Sequence, residues 1–244
     1  MPPAHRPLPP GDPAADRLPA AVPALGGDGG GGPDRDHAHA RLAAQVGFVL
    51  EVDRLKSVLR RGYVADGSRY ENSAEHSWTL ALMALVLAEH AAEPVDLATV
   101  LRMVVVHDLV EVDAGDTYVY DDAGRAAAEE RERRAADRLF GLLPDDQGSA
   151  LRAVWVEFET GTSPEARFAR ALDRFAGFLL NHASEGASWR ENGVTADRVH
   201  ARNERIGSGS PALWDEVQRR LADAVARGWV DAGPSSPPSG GTSG

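Results

Sequence analysis

From residue 38 to residue 231 apolar side chains recur at three- and four-residue intervals, and no alternating pattern of useful length interrupts them. A chain with that one period can bury its apolar faces only as helix packed on helix. The expected fold class is therefore all-α, a helical bundle. Apolar residues make up 43 % of the chain, enough for a sizeable core. Residues 1–33 differ sharply, with nine prolines and seven glycines. Such a composition cannot bury enough surface to offset chain entropy. The expected division is a disordered Pro/Gly-rich tail over 1–37, one helical domain over 38–231 and a second disordered tail over 232–244.

Start and stop signals divide the domain. One amphipathic helix is expected over residues 41–61. Asn72 caps the next, with Glu75 three residues on as in a capping box, and it runs to about residue 91. Asp96 caps a third, expected to reach about residue 112. A charged, solvent-facing helix is expected over 122–143 and another over 147–159. Ser163-Pro164 and Ser210-Pro211 each pair an N-cap with a proline suited to the first turn. The first of these helices is expected to continue to about Ser184, and Gly228 to end the last.

The chain has no cysteine, which removes disulfides, thiolate metal sites and a cysteine nucleophile. Any metal must sit on His, Asp or Glu. The formal net charge of −11 disfavours an extended nucleic-acid surface, which needs clustered basic residues. It still permits a small anion held by local cations. The N-terminus carries no apolar core of the signal-peptide kind, and the longest apolar runs are too short to span a bilayer. A cytoplasmic protein with no membrane contact is the expectation.

Three helices place an ionisable residue on the stripe that should be apolar. His76 lines up with Leu80, Met83 and Leu87 at spacings of four, seven and eleven. His107 shares a face with Val100, Met103 and Val104. Asp173 lies with Ala169, Ala176 and Leu180. A buried, unpaired charge costs several kcal/mol, so such residues find partners. Taken singly, His76 fits a hydrogen-bonded core histidine, His107-Asp108 a structural ion pair, and Asp173 a partner of Arg170 or Arg174. Taken together, two imidazoles and two carboxylates form a ligand set suited to one divalent transition-metal ion: Mn, Co, Fe, Ni or Zn.

The ordered pattern H…HD…D resembles the HD superfamily of metal-dependent phosphohydrolases. The segments RLKSVLRRGYV (54–64), RYENSAEHS (69–77), HDLVEVDAGD (107–116) and ALDRF (171–175) are similar to the 5′-deoxynucleotidase branch. The resemblance runs from about residue 47 to 185. It implies an HD-type helical bundle with the metal between core helices, and His76, His107, Asp108 and Asp173 as its ligands. It also implies Glu111 and Asp116 near the attacking water, and Arg60 on the substrate phosphate. The residue after that arginine, often Trp in bacterial deoxynucleotidases, is Arg61 here, so the choice between ribose and deoxyribose stays open.

Spacing adds to this reading. Glu111 follows His107 by one helical turn, and Lys56 precedes Arg60 by four residues, as a second cation on the expected first helix. The expected activity is hydrolysis of a small phosphate ester, a (deoxy)nucleoside monophosphate foremost. A pathway-specific phosphatase acting on another small ester, and a non-catalytic regulatory domain on the same fold, are the alternatives; a homodimer is left open. Di-iron oxygenases and di-metal phosphodiesterases of this superfamily need further histidines, and none lies between His107 and His182.

Overall fold

In the computed structural model, the described residues are 33–117, 120 and 125–233. The described residues are helical almost throughout. Eleven α-helices follow one another among these residues: α1 (Pro33–Val52), α2 (Ser73–Leu87), α3 (Leu97–Val106), α4 (Glu111–Ala114), α5 (Arg125–Phe140), α6 (Asp145–Thr160), α7 (Pro164–Ala183), α8 (Ala187–Glu191), α9 (Ala196–Asn203), α10 (Ile206–Gly209) and α11 (Pro211–Ala226). None is long and apolar enough to cross a membrane.

The caps form as their side chains dictate. Asn72 accepts from the Glu75 backbone while Glu75 reaches back to the Asn72 amide, a complete capping box. Asp96 accepts from Ala98 and Thr99, Ser163 from Ala166, and Ser210 from Leu213. Gly228 takes φ +72° just past α11, a left-handed turn that suits glycine.

Several expectations are corrected. Residues 33–37, expected in the tail, belong to α1. Residues 1–32 and 234–244 of the two expected tails lie outside the described residues. The first helix stops at Val52 instead of continuing to residue 61. A 3-10 turn (Asp53–Ser57) follows it, then a strand β1 (Leu59–Tyr63) paired antiparallel with β2 (Tyr70–Asn72). The hairpin loop turns at Gly67 with φ +68°, and Asp66 accepts from the Ser68 amide. Tyr63 stacks on Tyr70 at 4.5 Å, and both hydroxyls donate to Glu191, which ties the hairpin to α8.

The third helix also ends early, at Val106. From His107 the backbone closes turns with three-residue bonds, Leu109 to Val106 and Val112 to Leu109, before α4 begins. Helix α5 is less solvated than its charge suggests, since Ala135, Ala136, Leu139 and Phe140 are buried.

Among the described residues, two apolar clusters make the core. One surrounds α7, with Phe168, Leu172 and Phe175 against Leu80 and Val100. The other joins Phe48, Leu55, Leu109, Leu139 and Trp155. Val104 belongs to the first cluster and Val106 to the second. His107 and Asp108 follow at that seam.

Candidate metal centre

The end of α3, the first turn of α2 and the middle of α7 bring His76, His107, Asp108 and Asp173 into one place. His76 is fully buried and His107 is 4 % exposed. One donor atom each from His76, His107 and Asp108 fall within 4.8 Å of one another. Asp173 joins through His76, whose Nε2 lies 3.0 Å from Asp173 Oδ1.

The histidines are oriented from behind. His107 Nδ1 donates to the Val104 carbonyl at 2.9 Å, so in the neutral ring the lone pair falls to Nε2. That Nε2 is buried without a hydrogen-bond partner among the described residues and lies 3.0 Å from Asp108 Oδ1. His76 Nδ1 lies 3.2 Å from Glu71 Oε2. His107, with its other nitrogen held by a carbonyl, has the arrangement metal sites use, whereas His76 Nδ1 approaches its carboxylate without an aligned hydrogen bond. Glu71, 4 % exposed on β2, escaped the sequence reading, although it stands in the string that carries His76.

Electrostatics agree with a cation. The Arg60 guanidinium sits among five carboxylates: 2.7 Å from Asp108, 3.8 Å from Glu71 and Asp116, 3.9 Å from Glu111 and 4.0 Å from Asp173. Burial disfavours charge on His107, but Asp108 beside it outweighs that and pushes the ring up to about 9. Asp173 is held below the usual carboxylate range because His76, His107 and Arg60 outweigh its burial. Glu111 moves the other way. Burial, with Asp108 and Asp116 nearby, drives it well above the ordinary range, and its Oε2 accepts from Ser73 Oγ. Asp116 is raised for the same reason, burial first. Among the described residues, the donor set fits a divalent ion of the borderline type.

The remaining assignments divide. Arg170 donates to the Phe158 and Gly161 carbonyls, so the simple pairing of Asp173 with Arg170 is not what forms. Lys56 does not share a helical face with Arg60, because the helix has already ended. Its side chain is 67 % exposed and pairs with Asp53. Arg60 is carried inward by β1, and with Asp108, Glu111, Asp116 and Asp173 it lines a cavity of about 310 Å³.

A family model described as HD domain matches residues 52–214. The chain is 34 % identical over 128 residues to the 5′-deoxynucleotidase HDDC2 of Bos taurus, covering 52 % of this chain and 61 % of that one. With the protein of the same name from Danio rerio it shares 30 % identity, over 57 % of this chain and 68 % of the relative. The chain thus spans about three fifths of the cattle relative's length. A crystal structure from Magnetospirillum magnetotacticum MS-1, described as a predicted metal-dependent phosphohydrolase, superposes with a TM-score of 0.76 and 47 % identity. That match covers 80 % of this chain and 97 % of the other.

Proposed function

The chain belongs to the HD domain family, and we propose that within it this protein is a metal-dependent phosphomonoesterase that removes the 5′-phosphate from nucleoside or deoxynucleoside monophosphates. The observation that carries the reading is that His107, Asp108 and Asp173 line one cavity under the Arg60 guanidinium, with His76 buried behind them against Asp173. These four residues would hold one divalent transition-metal ion. Such an ion makes hydroxide available from bound water near neutral pH and screens the phosphoryl oxygens.

The chain's own groups do the rest. Glu111 is a buried carboxylate with raised proton affinity, held by Ser73, and it takes a proton from the attacking water. Asp116, also raised, stands across Arg60 and returns a proton to the departing 5′-oxygen. Arg60 presents a planar fork to the phosphate, suited to bidentate contact. Its five acidic neighbours hold that fork in place between substrate and ligands. Phe158 of α6 and Phe178 of α7 line the same cavity.

The two cations should separate cleanly by mutation. Arg60→Ala removes a charge-assisted contact and should lower kcat/KM roughly ten- to a hundredfold. Lys56→Ala removes only an exposed ion pair and should stay within about twofold of wild type. Steady-state assays of both variants check this. The reading as a whole is tested by phosphate release from a panel of ribo- and deoxynucleoside 5′-monophosphates with Mn, Co or Mg supplied. Release from at least one class is expected; no release from any member would reject it.

A further inference from the structure

The cavity does not stop at the cluster. It continues along α7 beyond Asp173, past Arg174, Gly177 and Asn181. Spacings of three and four put these residues on one face of the helix. Gly177 stands in the middle of a twenty-residue helix, where glycine is disfavoured against alanine. An added Cβ there would meet nothing within 4 Å beyond the helix's own backbone. Packing therefore does not require the glycine, and the missing side chain serves to leave room. Gly62 on β1 lines the same cavity, and a Cβ there also meets nothing within 4 Å. Two bare wall positions make space for a flat group.

Two polar atoms await a partner in this stretch. Arg174 Nε and Asn181 Oδ1 are buried with no hydrogen-bond partner among the described residues. The Asn181 amide nitrogen donates to the Gly177 carbonyl at 2.9 Å, which leaves Oδ1 as the unmet end. One unmet donor and one unmet acceptor call for a ligand edge that carries both kinds. A second phosphate would satisfy Arg174 but set its oxygens against Asn181 Oδ1. A heterocycle with a carbonyl or ring nitrogen beside an N–H satisfies both. From Asp173 to Asn181 the helix rises roughly 12 Å, the scale of a mononucleotide from phosphate to the far edge of its base.

We propose that the Arg174–Gly177–Asn181 face of α7 is a nucleobase subsite, with Arg174 Nε–H donating to the base and Asn181 Oδ1 accepting from it. Phe178 and Trp189, buried in the core, back the wall of the same cavity. The subsite deepens, and rests on, the nucleotidase reading. It makes Arg174 and Asn181 specificity-determining groups that act on the leaving nucleoside and not on the phosphorus.

The test compares the metal-loaded enzyme on a deoxynucleoside 5′-monophosphate and on 2-deoxyribose 5-phosphate, which lacks the base. Wild type should favour the nucleotide by about tenfold or more in kcat/KM, since a site built to hydrogen-bond a group rejects the analogue lacking it. Gly177→Leu fills the slot with a good helix former. It should bring the ratio of the two efficiencies towards one, chiefly through KM for the nucleotide, without lowering Tm. Asn181→Leu should move the ratio in the same direction, and it decides the matter if Gly177→Leu does not fold. An unchanged ratio in the variants, or an equal fall on both substrates, overturns the subsite. A wild type equally efficient on both overturns the subsite alone, whereas one that releases phosphate from neither overturns the nucleotidase reading and the subsite with it.

Discussion

Replacing Glu111 with glutamine should leave a folded, metal-binding protein that still takes up nucleotide but turns over roughly a hundred- to ten-thousandfold more slowly. The side chain keeps its volume and can still accept from Ser73 Oγ, so the surrounding packing is undisturbed. Only the capacity to take a proton disappears. The proposed ligand set is complete without Glu111, so metal content should match wild type. Turnover number, metal analysis and nucleotide binding on the same preparation separate the roles. Near-normal turnover with normal metal content would reassign the proton transfer to Asp116 or to another group.

The second large effect is expected at His107. Its Nδ1 is committed to the Val104 carbonyl, so alanine removes the one imidazole nitrogen that faces Asp108. Metal affinity should collapse and turnover should fall to background. Ligand binding stabilises the native state by mass action, about 2.7 kcal/mol at a hundredfold excess over the dissociation constant. For a domain of this size that corresponds to a rise of roughly 5–10 °C in Tm. Wild type should show such a rise when Mn or Co is added, and His107→Ala should not. A metal-induced rise in the variant equal to that of wild type would remove His107 from the ligand set.

The parts of the candidate site that were legible in the sequence share a physical signature. His76, His107 and Asp173 each interrupt a long helical apolar pattern, and a charge on such a stripe is visible without coordinates because burial forbids it to stand alone. The caps at Asn72, Asp96, Ser163 and Ser210 were legible because each is a local bond between neighbours. The hairpin was not. Strands of five and three residues are too short to establish a period of two, and Leu55 and Val58 extend the preceding helical spacing. The Asp66-Gly67 pair was the available turn signal. That miss placed Lys56 beside Arg60, when the strand carries only Arg60 into the cavity.

Other features depend on contacts between distant segments. Glu71 reads as an ordinary acidic residue until the fold sets it 3.2 Å from His76 Nδ1. The seam between the two apolar clusters, which receives His107 and Asp108, follows from the tightening of the backbone after Val106, and no residue type announces that break. The raised proton affinity of Glu111 likewise needs its burial and its approach to Asp108 and Asp116, neither of which a spacing rule supplies.

Stoichiometric reconstitution tests the central claim most directly. The protein is stripped with a chelator, and phosphate release from a nucleoside 5′-monophosphate is followed as Mn or Co is returned. Almost no release is expected from the stripped protein, with recovery that saturates at one ion per chain. Full activity in the stripped protein, or recovery that climbs until two ions are bound, would contradict a single catalytic ion held by His76, His107, Asp108 and Asp173.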